Sequence, residues 1–277
     1  MANPYRVDRV LGSAGVSEPG VDDFRPVTEV AGVRITREAL AMQVSRYGFA
    51  ASLCHGKDVL EVACGIGFGL GYLANKGARR VVGGDLTESL IRDAASHYRS
   101  RVALLRLDAH GLPFRNASFD LIVLYEAIYY LRDAGRFVAE SARVLRPGGQ
   151  LIICTANKEC AGFNPSPYST SYYSARELRE LLSAESFQPR IYVAFPAVGG
   201  GLQGRVVAAI KRAAVSANLI PKTMKGKEPL KRFFLGPLAP VPRELSDDLA
   251  GFQPPALLDD LSQARRFKIL YAVGRRP

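Results

Sequence analysis

From residue 58 onward, short β-branched runs alternate with segments whose apolar positions recur at helical spacing. The runs at 58–63, 80–85, 102–107, 119–124 and 150–155 read as strands. The segments 69–76, 87–98, 134–144 and 174–184 read as amphipathic helices. Thr87 suits the N-cap of the second helix, with Glu88 in the first turn, where the helix dipole favours an acid. Pro147-Gly148-Gly149 is the composition of a tight turn feeding the fifth strand. This alternation predicts an α/β architecture, a mostly parallel sheet with helices on both faces.

Two further apolar runs, 190–195 and 267–273, read as antiparallel strands at one sheet edge and bring the total to seven. Between them the alternation stops. The stretch contains Gly199-Gly200-Gly201, a helical pattern at 206–217, a basic run at 221–232 and several prolines. It reads as a mostly helical insertion before the last strand, serving as a lid or as the contact of a homodimer. The expected organisation is a peripheral segment at 1–55 ending in a helix over 36–52, a main domain at 56–196, the basic insertion at 197–265, and the last strand at 266–277.

Composition narrows the class. Hydrophobic residues make up 48% and charged residues 23% of the 277, an ordinary balance for a soluble globular chain. The first residues lack a basic-then-apolar leader pattern, and the longest apolar stretch, 121–131, is short and interrupted by Glu126. The default expectation is a cytoplasmic protein with no transmembrane segment. The four cysteines form no CxxC pair and the three histidines add no zinc-like spacing, so reduced thiols and no metal are expected. Residues 201–277 carry 14 Lys or Arg against 6 Asp or Glu, and so eight of the eleven net positive charges.

The informative segment is Asp58-Val-Leu-Glu61-Val-Ala-Cys-Gly65-Ile-Gly67-Phe-Gly69-Leu-Gly71. A buried strand runs into glycines spaced by two, and a helix follows. Glycine at 65, 67 and 69 lets a ligand lie against the backbone and permits positive φ, while the helix start presents free N–H groups. Dinucleotide-binding folds also use a glycine loop there, with the spacing GxGxxG. Here Leu70 and Tyr72 occupy the third glycine's place for frames starting at Gly65 and Gly67. Glu61, four residues ahead of Gly65, would repel a pyrophosphate but suits a ligand bearing an ammonium and a sulfonium. The electrostatics favour S-adenosyl-L-methionine.

On these residues the chain resembles the class I S-adenosylmethionine-dependent methyltransferases, Rossmann-like enzymes, and within them the small-molecule subgroup similar to the ubiquinone-biosynthesis type. The resemblance implies that Glu61, Gly65, Gly67 and Gly69 hold the methionyl part. It gives the ribose hydroxyls to Asp85 in Val81-Val-Gly-Gly-Asp85, with Leu86 beside it. It gives the adenine amino group to Asp108 in Leu105-Arg-Leu-Asp108-Ala109. Leu112-Pro-Phe-Arg-Asn-Ala-Ser-Phe-Asp120 and Arg143-Val-Leu-Arg-Pro147-Gly148-Gly149 precede the fourth and fifth strands as in that family.

Such a cofactor carries its own electrophile, so the protein must align a nucleophile, with a base where the acceptor arrives protonated. Glu126, which interrupts Leu124-Tyr-Glu-Ala-Ile-Tyr-Tyr130 at the end of the fourth strand, and His110 are the candidate bases. Glu126 also reads as a capping or surface residue, and His110 as an exposed one. Tyr129 and Tyr130 are candidate pocket walls or core residues. Asn164-Pro-Ser-Pro-Tyr168 resembles the Asn-Pro-Pro-Tyr signature of enzymes methylating exocyclic amines in nucleic acids. It follows the fifth strand rather than the fourth and carries an extra serine, so Asn164 and Tyr168 are assigned to a loop bordering the acceptor pocket.

The expected function is methyl transfer to a small-molecule acceptor, such as a phosphate-bearing sugar or a natural-product intermediate. The basic insertion keeps RNA methylation open, although only Phe233 and Phe234 accompany its charges as stacking residues, which makes a nucleic-acid partner the weaker reading. A non-catalytic protein that binds S-adenosylmethionine and assembles with a partner is the third reading.

Overall fold

The structure is a computed structural model that describes residues 23–166, 168–197, 238–249 and 251–277. The glycine triplet at 199–201, the helical pattern at 206–217 and the basic run at 221–232 lie outside the described residues.

A helix α1 (Arg37–Cys54) precedes the strand–helix series. Thr36 caps it by accepting from the Ala39 N–H at 3.1 Å. The series runs β2 (Asp58–Val62), α2 (Leu70–Asn75), β3 (Arg80–Asp85), α3 (Glu88–Tyr98), β4 (Ala103–Arg106), β5 (Phe119–Tyr125), α4 (Ala134–Val144), β6 (Leu145–Ala156), α5 (Ala175–Ala184) and β7 (Gln188–Pro196). Each predicted strand and helix of this region is present, displaced by a few residues at most ends. Beyond residue 237 come β8 (Leu238–Pro240), the two-residue β9 (Ala256–Leu257), a 3-10 helix at Leu261–Arg266 and β10 (Phe267–Arg275). β8 pairs antiparallel with β1 (Arg34–Thr36) in a separate two-stranded sheet.

The main sheet has eight strands in the order β4-β3-β2-β5-β6-β10-β7-β9. Strands β4 to β6 are parallel, and β10 pairs antiparallel with both β6 and β7. Two details correct the expectation. The long antiparallel strand β10 lies inside the sheet rather than at its edge, and β7, expected antiparallel, runs with the parallel strands. The physical reason is that β10 enters last and fills the gap between β6 and β7, which sequence order does not reveal. Pro147-Gly148-Gly149 is not a turn before the fifth strand but a bulge within it. The register shifts from Phe119 opposite Leu145 to Leu121 opposite Gln150, with Gly148 at φ +76°.

Alternate residues of the central strands feed two apolar layers. Val59, Leu121, Val123 and Ile152 pack with α1 and α2. Leu60, Ile122, Leu124 and Ile153 pack with α4 and α5. The segment before residue 56, expected at the periphery, therefore supplies α1 to the core, where Leu40, Val44, Tyr47, Ala50 and Cys54 are buried. The consequence for function lies in the strand order. The carboxyl ends of β4, β3, β2 and β5 stand side by side and open into one cavity.

Candidate functional site

The cavity measures about 1390 Å³, above the roughly 300–1,000 Å³ of most single-ligand sites. That volume accommodates a nucleoside cofactor together with a second molecule. Its floor is the loop after β2, where Ala63, Gly65 and Gly67 all have positive φ. The chain reverses sharply there and delivers α2.

Only one of the three expected glycines faces the cavity. Gly65 lines it, whereas Gly67 and Gly69 serve packing. A Cβ on Gly69 would stand 2.0 Å from the Tyr47 ring, and one on Gly67 would stand 2.9 Å from both Leu70 and Tyr98. The glycines let two buried tyrosines approach the loop, and both tyrosines hold it. Tyr98 donates to the Gly67 carbonyl at 2.6 Å and accepts from the Gly71 N–H at 3.1 Å. The Tyr47 hydroxyl donates to Glu61 Oε1 at 2.6 Å.

Glu61 is buried and lines the cavity, and its Oε2 has no hydrogen-bond partner in the protein. Burial pushes its carboxyl up to about 8, against the pull of the Tyr47 hydroxyl. Asp85, also buried, accepts from the Gly65 N–H at 2.9 Å and from the Thr87 N–H at 2.8 Å. Burial raises the Asp85 carboxyl against those donors. One carboxylate thus ties the end of β3 to the turn after β2. Leu86 and Ala109 line the cavity beside Asp85 and Asp108.

Asp108, half-exposed, accepts from both the backbone N–H and Nδ1 of His110, at 2.9 and 2.6 Å. Burial opposes its ionisation, but the His110 donors outweigh it and hold the carboxyl below the usual range. The other ring nitrogen, Nε2, accepts from the Asp133 N–H at 3.2 Å. His110 therefore lines the cavity at the β4 end with both nitrogens engaged. The structure does not bring it to Glu126 as a second base.

Glu126 stands at the end of β5, across β2 from Asp85. Arg46 Nη2 donates to its Oε1 at 2.9 Å and the Tyr129 hydroxyl to its Oε2 at 3.0 Å. Tyr129 is buried, stacked on Tyr172 with centroids 4.3 Å apart, and its neighbour Tyr130 packs against Phe24 at 5.2 Å. Both tyrosines line the cavity. Asn164 and Tyr168 do not: both are exposed and stand clear of it. The reason is local. Tyr172 accepts from the Ser166 N–H and turns inward onto Tyr129, and Ser166 bonds the Tyr130 hydroxyl, which leaves the loop tip outside.

Sequence reasoning missed the strap at residues 24–29 and the α1 face of Gln43, Arg46 and Tyr47, all of which line the cavity except Arg25 and Pro26. The Phe24 N–H donates to Thr87 Oγ1 at 3.1 Å, so the predicted N-cap hydroxyl is engaged by the strap instead. Arg25 pairs with Asp93 at 2.7 Å. The signal for α1 was present as an apolar helix with two polar residues, Gln43 and Arg46, on a buried face. All four cysteines are free and buried. Among the described residues, no group of His, Cys, Asp and Glu is placed to hold a metal, and no helix is long and apolar enough to cross a membrane.

These residues fit S-adenosyl-L-methionine. The buried oxygen of Glu61 lacks a partner beside a turn that approaches closely, and the carboxylates of Glu61 and Asp85 flank the loop, which disfavours a pyrophosphate. The comparisons agree. Residues 60–153 match a family described as a methyltransferase domain. A probable S-adenosylmethionine-dependent methyltransferase of Mycolicibacterium smegmatis is 37% identical over 148 residues, covering 51% of this chain and 56% of that protein. An O-methyltransferase of Penicillium expansum is 30% identical over 167 residues, covering 58% of this chain and 56% of that protein. The chain thus spans about half the length of these curated relatives. The crystal structure of an S-adenosylmethionine-dependent methyltransferase from Thermotoga maritima shares the fold, with TM-score 0.54 at 16% identity, covering 87% of this chain and 94% of that one. Residues 60–153 thus resemble a methyltransferase domain, and the chain as a whole shares the fold of a solved S-adenosylmethionine-dependent methyltransferase.

Proposed function

We propose that this protein transfers a methyl group from S-adenosyl-L-methionine to a small-molecule acceptor held between Glu126, Tyr129, Tyr130 and the strap at 24–29. The observation that carries the proposal is the buried, unpartnered Oε2 of Glu61 in the lining of a cavity large enough for two molecules. The cofactor supplies the electrophilic methyl group, and the chain supplies binding and alignment. Glu61 receives the ammonium group, Asp85 the ribose hydroxyls and Asp108 the adenine amino group. With the nucleoside lying across β4, β3 and β2, the acceptor side falls at β5, where Glu126 stands. Alignment of an acceptor atom against the sulfonium is the main service such a site provides.

A phosphate-bearing sugar fits poorly against the wall where Glu29 and Glu126 stand. A natural-product intermediate of low charge fits better, in keeping with the relative named as an O-methyltransferase. The test is incubation with methyl-labelled S-adenosylmethionine and small-molecule extracts, followed by mass spectrometry. Label appearing in a small molecule, abolished by Asp85→Ala, is the expected result. Label appearing only in RNA would replace the reading with nucleic-acid methylation.

A further inference from the structure

The acceptor half of the cavity holds an ion pair whose basic member lies outside the matched residues 60–153. Arg46 comes from α1 and places Nη2 2.9 Å from Glu126 Oε1, with only 13% and 22% of the two side chains exposed. Glu126 itself sits at φ +50°, a left-handed conformation seldom taken by a residue with a Cβ. Its N–H is fixed by the Cys154 carbonyl at 2.8 Å, and the Tyr125 hydroxyl anchors the Arg46 carbonyl at 3.0 Å. Backbone held against its preference marks a place where the aim of a side chain matters.

We infer that this half of the cavity takes an uncharged acceptor carrying a ring-borne hydroxyl, that the methyl group goes to its oxygen, that Glu126 accepts the hydroxyl proton, and that Arg46 is the positioning residue that aims Glu126. The inference rests on the methyltransferase reading above and names its acceptor class.

Four arguments converge. The Glu126 charge is paired with Arg46 Nη2, so an anionic acceptor placed against Glu126 would meet the carboxylates of Glu126 and Glu29. An amine would be held as an ammonium by the same carboxylates, and an ammonium has no lone pair to attack with. A hydroxyl donates to a carboxylate while keeping its own lone pairs free. Each Glu126 oxygen accepts one hydrogen bond within the protein, which leaves it the capacity to accept another. Finally, the walls beside Glu126 are aromatic, Phe24 against Tyr130 at 5.2 Å and Tyr129 against Tyr130 at 4.5 Å, a surface that favours a flat ring.

The step balances as follows. The hydroxyl oxygen forms a bond to the methyl carbon, the carbon–sulfur bond breaks with its electron pair passing to sulfur, and the hydroxyl proton passes to a Glu126 oxygen. The products are a methyl ether, the neutral thioether and a protonated carboxyl, which returns its proton to water through the open side of the cavity.

The experiment incubates the wild-type protein with methyl-labelled S-adenosylmethionine and a small-molecule extract, then classifies the labelled product chemically. An aryl or enol methyl ether is expected; an N-methyl, C-methyl or methyl-phosphate product overturns the inference while leaving methyl transfer intact. With the product in hand, Glu126→Gln should lower kcat about 10²–10⁴-fold while S-adenosylhomocysteine affinity in calorimetry stays within twofold. Arg46→Met should lower kcat while S-adenosylhomocysteine affinity stays within twofold, since the ion pair no longer aims the carboxylate. Arg46→Lys should restore part of the lost kcat. A wild-type kcat in Glu126→Gln, or in Arg46→Met, overturns the roles assigned here. Binding of S-adenosylhomocysteine with no labelled product from any extract overturns the methyltransferase reading as well.

Discussion

Removing or titrating Glu61 probes the cofactor site through a property that packing alone would not produce. Burial pushes the Glu61 carboxyl up to about 8, so below that pH the protein by itself holds a proton there. A ligand ammonium beside Oε2 favours the carboxylate, so binding below pH 8 expels the proton. The sign follows from linkage: a site that releases a proton on binding gains affinity as pH rises, until the proton is already absent. Affinity for S-adenosylhomocysteine should therefore climb about tenfold, or about 1.4 kcal/mol, between pH 6 and 7. It should level near pH 8, and then fall once the amino group of the ligand loses its own proton. Calorimetry in two buffers of different ionisation enthalpy measures both the affinity and the released proton. Glu61→Gln should weaken binding most near pH 8 and flatten the rise between pH 6 and 7. A wild-type affinity that is flat from pH 6 to 8, with no proton released, would refute the reasoning.

Three further substitutions separate the parts of the site. Gly69→Ala places a Cβ 2.0 Å from the Tyr47 ring; overpacking should cost about 1–3 kcal/mol, read as a lower thermal midpoint, and an unchanged midpoint would show that the loop yields freely. Tyr98→Phe removes the hydroxyl that bonds Gly67 and Gly71. A loss of about 1–3 kcal/mol in denaturant melts is expected, together with weaker S-adenosylhomocysteine binding, and intact stability would contradict the bracing role. Asp85→Ala should abolish that binding in calorimetry while circular dichroism shows a folded chain, because the carboxylate orders Gly65 and is the group proposed to take the ribose hydroxyls; unchanged affinity would remove Asp85 from the site.

The strand–helix series from 58 to 196 was legible because each element carries its own period and its own ends. Ser174 marks its boundary through local hydrogen bonding, forming a full capping box with Glu177. The placement of Glu61, Asp85 and Asp108 in the cavity lining was legible for the same reason, since strand ends fix where they emerge. What stayed hidden depends on contacts between distant segments. Nothing local distinguishes a strand that inserts between two others from one that adds at the edge, so the place of β10 was missed. The α1 face was missed because Arg46 finds Glu126 eighty residues away, and a buried guanidinium looks, in sequence, like any polar residue on a helix. Gly67 and Gly69 show the converse. Their spacing was noticed, but the close approach of the Tyr98 and Tyr47 rings, which gives them a packing reason, was not. Asn164 and Tyr168 were drawn in by a motif whose tip the Tyr172 anchor turns outward.

The most direct test of the central claim is a crystal structure of the protein soaked or grown with S-adenosylhomocysteine. The ligand should lie across the ends of β4, β3 and β2, its amino group on Glu61 Oε2, its ribose on Asp85, and its sulfur facing the side where Glu126 and Arg46 meet. A ligand seated elsewhere, or turned so that the sulfur points away from Glu126, would contradict both the site and the chemistry assigned to it.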